Sequence, residues 1–175
     1  YTIFINPPLI GVQSDQLNWQ QIRQMSREGV TFANHTSHHD HLLIRHDGEN
    51  QQQWLSRVME DIESAQQVLE QQLDVQHRFL AYPYGEFNQQ LSQALGNKGY
   101  TGFAQHSGAI SANSDFTALP RFAAAGIYAN LNSLKVKLAS LAMPVSEVAI
   151  SDPELSYNQR QPTQTLSLDD SDQVL

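Results

Sequence analysis

The chain contains no cysteine. Thiol nucleophiles, disulfides and cysteine-ligated zinc are therefore excluded, and the redox compartment stays open. Cations are also scarce: 10 Lys and Arg stand against 18 Asp and Glu, for a formal net charge of -8. Neutralising phosphates takes clustered Lys and Arg, so nucleic acid is a poor partner. An anionic membrane surface is disfavoured for the same reason. A neutral or cationic partner fits better. No apolar run reaches the roughly 18 residues of a membrane-spanning helix, and the first residues carry no signal-peptide pattern. There is no initial Met either. Tyr1-Thr2-Ile3-Phe4-Ile5 reads at once as a buried strand, as expected of a chain cut from a longer one or following a processing site.

What is present suffices for a core. With 175 residues and 40% hydrophobic content, the chain is expected to fold as one domain with a short appendage. Pro7-Pro8 and Gly11 mark a loop after the first strand. Asn18 with Gln21 makes a variant capping box ahead of the stripe Trp19, Ile22, Met25, which Gly29 closes. Val30 to Ala33 is the next predicted strand. The strongest helix follows, with Trp54, Leu55, Val58, Ile62, Ala65, Leu69 and Leu73 at helical period and both tryptophans expected in the core. Arg78 to Tyr82 reads as a strand ending in the turn Pro83-Tyr84-Gly85. A helix from Asn88 then leads to a short strand over Tyr100 to Ala104. Leu131 to Leu141 reads as a helix and Val145 to Ile150 as a strand. From Ser151 the composition turns to Gln, Asn, Ser, Asp and Pro, a tail that is extended over the surface or disordered. Alternating strands and helices predict parallel βαβ units, with functional loops at the carboxyl ends of the strands.

The richest stretch is Asn34-His35-Thr36-Ser37-His38-His39, directly after a predicted strand. The spacing of His35 and His39 can aim two imidazoles at one ion, and two neutral nitrogen donors suit zinc or another late first-row divalent metal. Thr36 and Asn34 are expected to hold those imidazoles in the right tautomer. His38, His41 and His46 read as exposed or supporting residues. The Gln-rich patches at 51–53 and 71–72 read as solvated helix faces. Tyr82 to Gly85, after the next strand, would share the rim with the histidine loop.

Three stretches together resemble the polysaccharide deacetylase (NodB-homology) family of carbohydrate esterases. They are Leu17-Asn18-Trp19 through Glu28-Gly29-Val30, the run Asn34 to His39, and Phe79-Leu80-Ala81-Tyr82-Pro83-Tyr84-Gly85, spanning roughly residues 1–125. The resemblance implies an α/β fold, a partial and distorted (β/α) barrel over 1–143, with an irregular or β-rich extension over 144–175. It also implies metal-dependent hydrolysis of N-acetyl groups on an N-acetylglucosamine-type glycan outside the cytoplasm. By that match His35 and His39 are metal ligands and Tyr84 donates its backbone N–H to an oxyanion. Tyr82, Pro83, Gly85 and Arg121 are substrate contacts. His106, the one later histidine able to serve, is the acid that protonates the leaving amine.

The departures are specific. The family's Asp-Asp motif lies one strand upstream of a segment like Tyr1 to Ile5, so the third ligand and the base are not in this sequence. The Arg before Pro-Tyr-Gly is replaced by Ala81-Tyr82, and no Leu-x-His motif occurs near the C-terminus. The chain alone is therefore expected to be weak or inactive. An unpaired edge strand would also invite self-association. The competing expectations are a non-catalytic glycan-binding module on the same scaffold and a His-rich metal-binding domain with no glycan role.

Overall fold

The computed structural model describes residues 1–13, 15–142, 145–150 and 164–168. Four short strands, β1 (Thr2–Ile5), β2 (Thr31–Asn34), β3 (Phe79–Ala81) and β4 (Thr101–Phe103), form one parallel sheet in the order β1-β2-β3-β4. Helices connect them: α1 (Trp19–Arg27), α2 (Gln51–Leu73) and α3 (Gln89–Asn97). Each strand therefore lies beside its successor in sequence, as in one sector of a (β/α) barrel.

The helix starts are written locally. Asn18 and Gln21 form the predicted capping box on α1, and Asn50 with Gln53 repeats it on α2. Asn88 caps α3 by accepting from the Leu91 N–H at 3.0 Å. These bonds satisfy amides that the first helical turn leaves without partners.

Burial follows the two periodicities. On α2, Trp54, Val58, Ile62, Ala65 and Leu69 are buried as the helical stripe predicts. Strand alternation sends Leu80 and Tyr82 into one core with Trp54, Val58, Ile62, Leu91 and Leu95. A second core holds Ile5, Ile22, Val30, Phe32 and Leu69, with Trp19 and Met25 packed against it. On the opposite face of the sheet Phe4 meets Phe103 at 5.3 Å, and Phe103 meets Phe79 at 5.8 Å.

Two boundaries differ from the sequence expectations. β3 covers only Phe79–Ala81, because Pro83 lacks an N–H and the chain turns there. Helix α4 (Leu131–Leu138) stops short of Leu141 and buries none of its residues. Strand β5 (Val145–Ile150) is as expected, and it pairs antiparallel with β6 (Gln164–Leu168), within the extension expected to be irregular or β-rich. The expected boundary at 143/144 lies outside the described residues, as do 151–163 and 169–175 of the expected tail.

Candidate active site

The polar loop leaves the carboxyl end of β2 through a chain of hydrogen bonds. The His35 N–H still donates to the Ile5 carbonyl at 3.0 Å, so His35 continues the ladder with β1. Asn34 is fully buried; its amide donates to the Ile62 carbonyl of α2 at 2.9 Å, and its oxygen accepts from the Thr36 N–H at 2.8 Å. Thr36 adopts a left-handed backbone with φ of 68°, which costs a β-branched residue about 1–3 kcal/mol unless its surroundings impose it. They do: its N–H is held by Asn34, its carbonyl accepts from Asn6, and its hydroxyl accepts from the His39 N–H at 3.0 Å. Ser37 is tied to α2 through the Ser64 hydroxyl at 2.7 Å. The loop is rigidly mounted on α2.

That mounting aims two imidazoles at each other. The Nε2 atoms of His35 and His39 lie 3.1 Å apart. The His35 Nδ1 is 2.7 Å from the Ala81 carbonyl, which can only accept, so Nδ1 carries the proton and Nε2 keeps its lone pair. Burial pushes the His35 pKa below the ordinary imidazole value. The Ala81 bond opposes that shift, while the charges of His39 and Arg121 reinforce it. The ring is therefore neutral and able to donate electrons at neutral pH. The role expected of Asn34 and Thr36 is corrected here: they shape the loop backbone, and a carbonyl of β3 sets the tautomer.

The separation of 3.1 Å suits two nitrogens on one ion. Bonds of about 2.0–2.1 Å at tetrahedral to right angles put their donors roughly 2.9–3.4 Å apart. Among the described residues no group of three His, Asp or Glu converges on one point.

The second loop meets the first through Tyr84. Pro83 is buried and opens a tight turn in which Tyr84 takes a left-handed φ of 56°. Gly85 follows at φ 73°, where a Cβ would come within 2.8 Å of Gln105 Cβ, so only glycine fits. The Tyr84 ring stands edge-on to His39 at 4.9 Å. It also stacks on His41 at 4.1 Å with planes 13° apart, and His41 Nδ1 is 2.7 Å from Glu86 Oε1. His41 and Glu86 thus clamp the ring that borders the histidine pair. His41 could have been suspected from the excess of histidines in the run, and Glu86 from its place directly after Pro-Tyr-Gly. Nothing in a sequence marks the Ala81 carbonyl.

The remaining candidates are dispersed. Tyr82 is 0% exposed, its ring stacked on Phe87 and its hydroxyl donating to the Thr117 carbonyl at 2.6 Å. Burial raises its pKa to about 12. Its side chain is thus a core element and not the substrate contact expected, because strand alternation sets it beside Leu80. His106 is exposed and lies against Phe87 at 6.4 Å. Arg121 is fixed by its Nε–H to the Ala104 carbonyl at 2.8 Å and sits 5.9 Å from the Phe4 ring centroid, near enough to act on His35. His38 pairs with Asp61 at the surface, and the His46 N–H donates to Glu49 at 3.0 Å.

The family model for polysaccharide deacetylases matches residues 1–103. The chain belongs to the polysaccharide deacetylase family. Solved relatives carry the same fold. The Streptococcus pyogenes deacetylase PplD in complex with acetate aligns at TM-score 0.60 and 23% identity, over 69% of this chain and 50% of that one. The de-N-acetylase from Aggregatibacter actinomycetemcomitans aligns at TM-score 0.63 and 16% identity, over 78% and 64%. The BpsB deacetylase domain of Bordetella bronchiseptica aligns at TM-score 0.54 and 22% identity, over 61% and 48%. The chain thus spans about half to two thirds of these relatives. No curated protein matches it. In this polysaccharide deacetylase fold, the loops after β2 and β3 bring His35, His39 and Tyr84 together at one end of the sheet.

Proposed function

We propose that this protein is a hydrolase removing N-acetyl groups from an N-acetylglucosamine-type glycan, with His35 and His39 holding a divalent ion, most readily zinc. One observation carries the reading: two imidazole Nε2 atoms converge at 3.1 Å, with one ring's tautomer set by the Ala81 carbonyl. Family membership favours a polysaccharide substrate. One solved relative is named as a de-N-acetylase and another was solved with acetate, which favours an acetamido group as the target.

A divalent ion supplies acidified water and carbonyl polarisation at neutral pH. The chain's own residues would do the rest. His35 and His39 present lone pairs from a loop that α2 keeps in place. The Tyr84 N–H would donate to the acetyl oxygen as negative charge develops, worth about 3 kcal/mol by comparison with other oxyanion holes. His106 would protonate the leaving amine. Arg121, Pro83 and Gly85 would line the substrate, and Tyr82 would support the turn from beneath. The family resemblance assigns a third ligand and a base to an Asp pair upstream of a strand like β1. Glycans of this kind lie outside the cytoplasm, so periplasmic or extracellular residence is expected. No described helix is long and apolar enough to cross a membrane.

The test is a calorimetric zinc titration of this chain beside a His35→Ala/His39→Ala variant. Binding lost in the variant supports the reading, and equal binding in both overturns it. The second reading is glycan binding without turnover, favoured by the converging His35 and His39 having no third His, Asp or Glu beside them among the described residues. Acetate release from N-acetylglucosamine oligomers would overturn that alternative. The outer edge of β1 has no strand partner among the described residues, and such edges recruit other chains. We expect self-association; light scattering showing a sharp monomer at high concentration would contradict it.

A further inference from the structure

A shallow groove runs along the outer side of α3. Its first part, about 720 Å³, lies between Gln89, Gln93 and Asn97 of the helix and the turn at Asp115 and Thr117, with Phe87 at one end. Its second part, about 470 Å³, shares Gln93 and Asn97 and continues to Gln51, Gln52 and Gln90. Both volumes fall within the roughly 300–1,000 Å³ of small-ligand sites.

The walls are built in advance of any ligand. Gly102 allows the 115–119 turn to lie on β4, since a Cβ there would come within 2.1 Å of the Thr117 carbonyl. That same carbonyl accepts from Tyr82 Oη at 2.6 Å, and Asp115 Oδ1 accepts from the Thr117 N–H at 2.8 Å. On the other wall, Gly96 brings no side chain into the gap.

The chemistry of the lining is unusual for a chain with a net charge of -8. Asp115 is the single charged residue among those lining either part, and its carboxylate is already engaged by Thr117. Gln51, Gln52, Gln89, Gln90, Gln93 and Asn97 supply amide side chains, each offering both donors and an acceptor, among apolar surface that includes Leu55 and Ala94. Phe87 adds an aromatic surface at one end, where its ring stacks on Tyr82 at 5.2 Å and faces His106 at 6.4 Å. Neutral, two-way hydrogen bonding next to an aromatic ring fits a polyhydroxylated ligand without charge. It does not fit phosphate, peptide carboxylate or nucleic acid.

We propose that this groove is a second glycan-binding surface, taking several consecutive uncharged sugars. The inference rests on the glycan reading given above and extends it from the acetyl group to the polymer. It requires the chain to prefer longer oligomers.

The experiment uses the N-acetylglucosamine hexamer as probe on the isotope-labelled chain. Amide shifts are mapped on the wild type, and affinities are compared with Gln93→Ala/Asn97→Ala, two exposed positions. The expected result is perturbation at 89–97 and 115–117, with hexamer affinity about tenfold weaker in the variant, the loss of one or two net hydrogen bonds. Zinc affinity should be unchanged. Hexamer shifts confined to 35–41 and 82–86, with equal affinity in the variant, overturn the groove and leave the proposed function standing. Absence of hexamer binding beside intact zinc binding overturns the groove also. Hexamer binding at the groove without zinc binding at His35 and His39 upholds it and overturns the metal-dependent function.

Discussion

The loop after β2 and the segment after β4 differ in how they are held. Residues 34–37 are tied through Asn34, Thr36 and Ser37 to α2, β1 and each other, and Leu42 accepts from Trp54 Nε1 at 2.7 Å. Beyond Arg121 the chain carries α4 with no buried residue, and Ile127, Leu131, Val136 and Leu138 are exposed. Both stretches are irregular or short, yet only the first is imposed by a core. Strained backbone at Thr36 persists because neighbouring bonds over-determine it. A histidine on the first loop therefore has a defined position, while the exposed His106 is held by its carbonyl, which accepts from the Arg121 N–H at 2.9 Å, and by the Phe87 ring.

The comparison breaks most readily at Trp54. Trp54→Ala should cost about 3–5 kcal/mol in urea unfolding, from the cavity and the lost bond to Leu42. A cost under ~1 kcal/mol would mean that the loop does not depend on this anchor. Next comes Asn34→Ala, which leaves the buried Thr36 N–H without its acceptor and should cost about 1–3 kcal/mol. It should also weaken zinc binding although Asn34 touches no ligand atom; unchanged calorimetry would separate the loop backbone from the histidine pair.

A pH series sharpens the anchoring further along the same loop. Arg57 bonds Glu49 at 2.7 Å and also reaches the Ile44 carbonyl at 3.0 Å. That guanidinium lowers the Glu49 pKa to about 2. A carboxylate depressed in the folded state stabilises it fully above its unfolded value. The contribution declines as pH falls below that value and is gone once pH passes the folded one. Unfolding midpoints should therefore fall between about pH 4.5 and 2, and Glu49→Gln should flatten that slope. Equal slopes in both proteins would assign the acid sensitivity elsewhere.

Smaller effects are expected at the clamp and at α4. His41→Ala removes the stack on Tyr84 and should weaken zinc binding severalfold, while His41→Phe, which keeps a ring there, should restore most of it. If Phe rescues nothing, the Glu86 bond matters more than the stack. Leu134→Ala in α4 should change stability by no more than about 0.5 kcal/mol, as for other surface positions. A core-sized loss would show that α4 is packed in solution.

Much of the fold was legible because its signals are local. Asn18 with Gln21, the stripe from Trp54 to Leu69, and the turn at Pro83 act within a few residues of themselves. Tyr82 departs from the expected rim contact because period-2 alternation places it in the core with Leu80. β6 lies within the extension expected to be irregular or β-rich, but its bounds and its antiparallel pairing with β5 are set by the partner strand.

By itself the sequence determined the helix starts, the strand-helix alternation and the pairing of His35 with His39, since capping, periodicity and short spacing are properties of neighbouring residues. Only the tertiary structure decided which atom sets the His35 tautomer, that His41 and Glu86 hold Tyr84, and that Tyr82 faces the core. Those contacts join residues some 40 positions apart or depend on which side of a sheet a helix covers. A backbone carbonyl such as that of Ala81 has no residue type of its own, so its role appears only when β2 and β3 lie side by side.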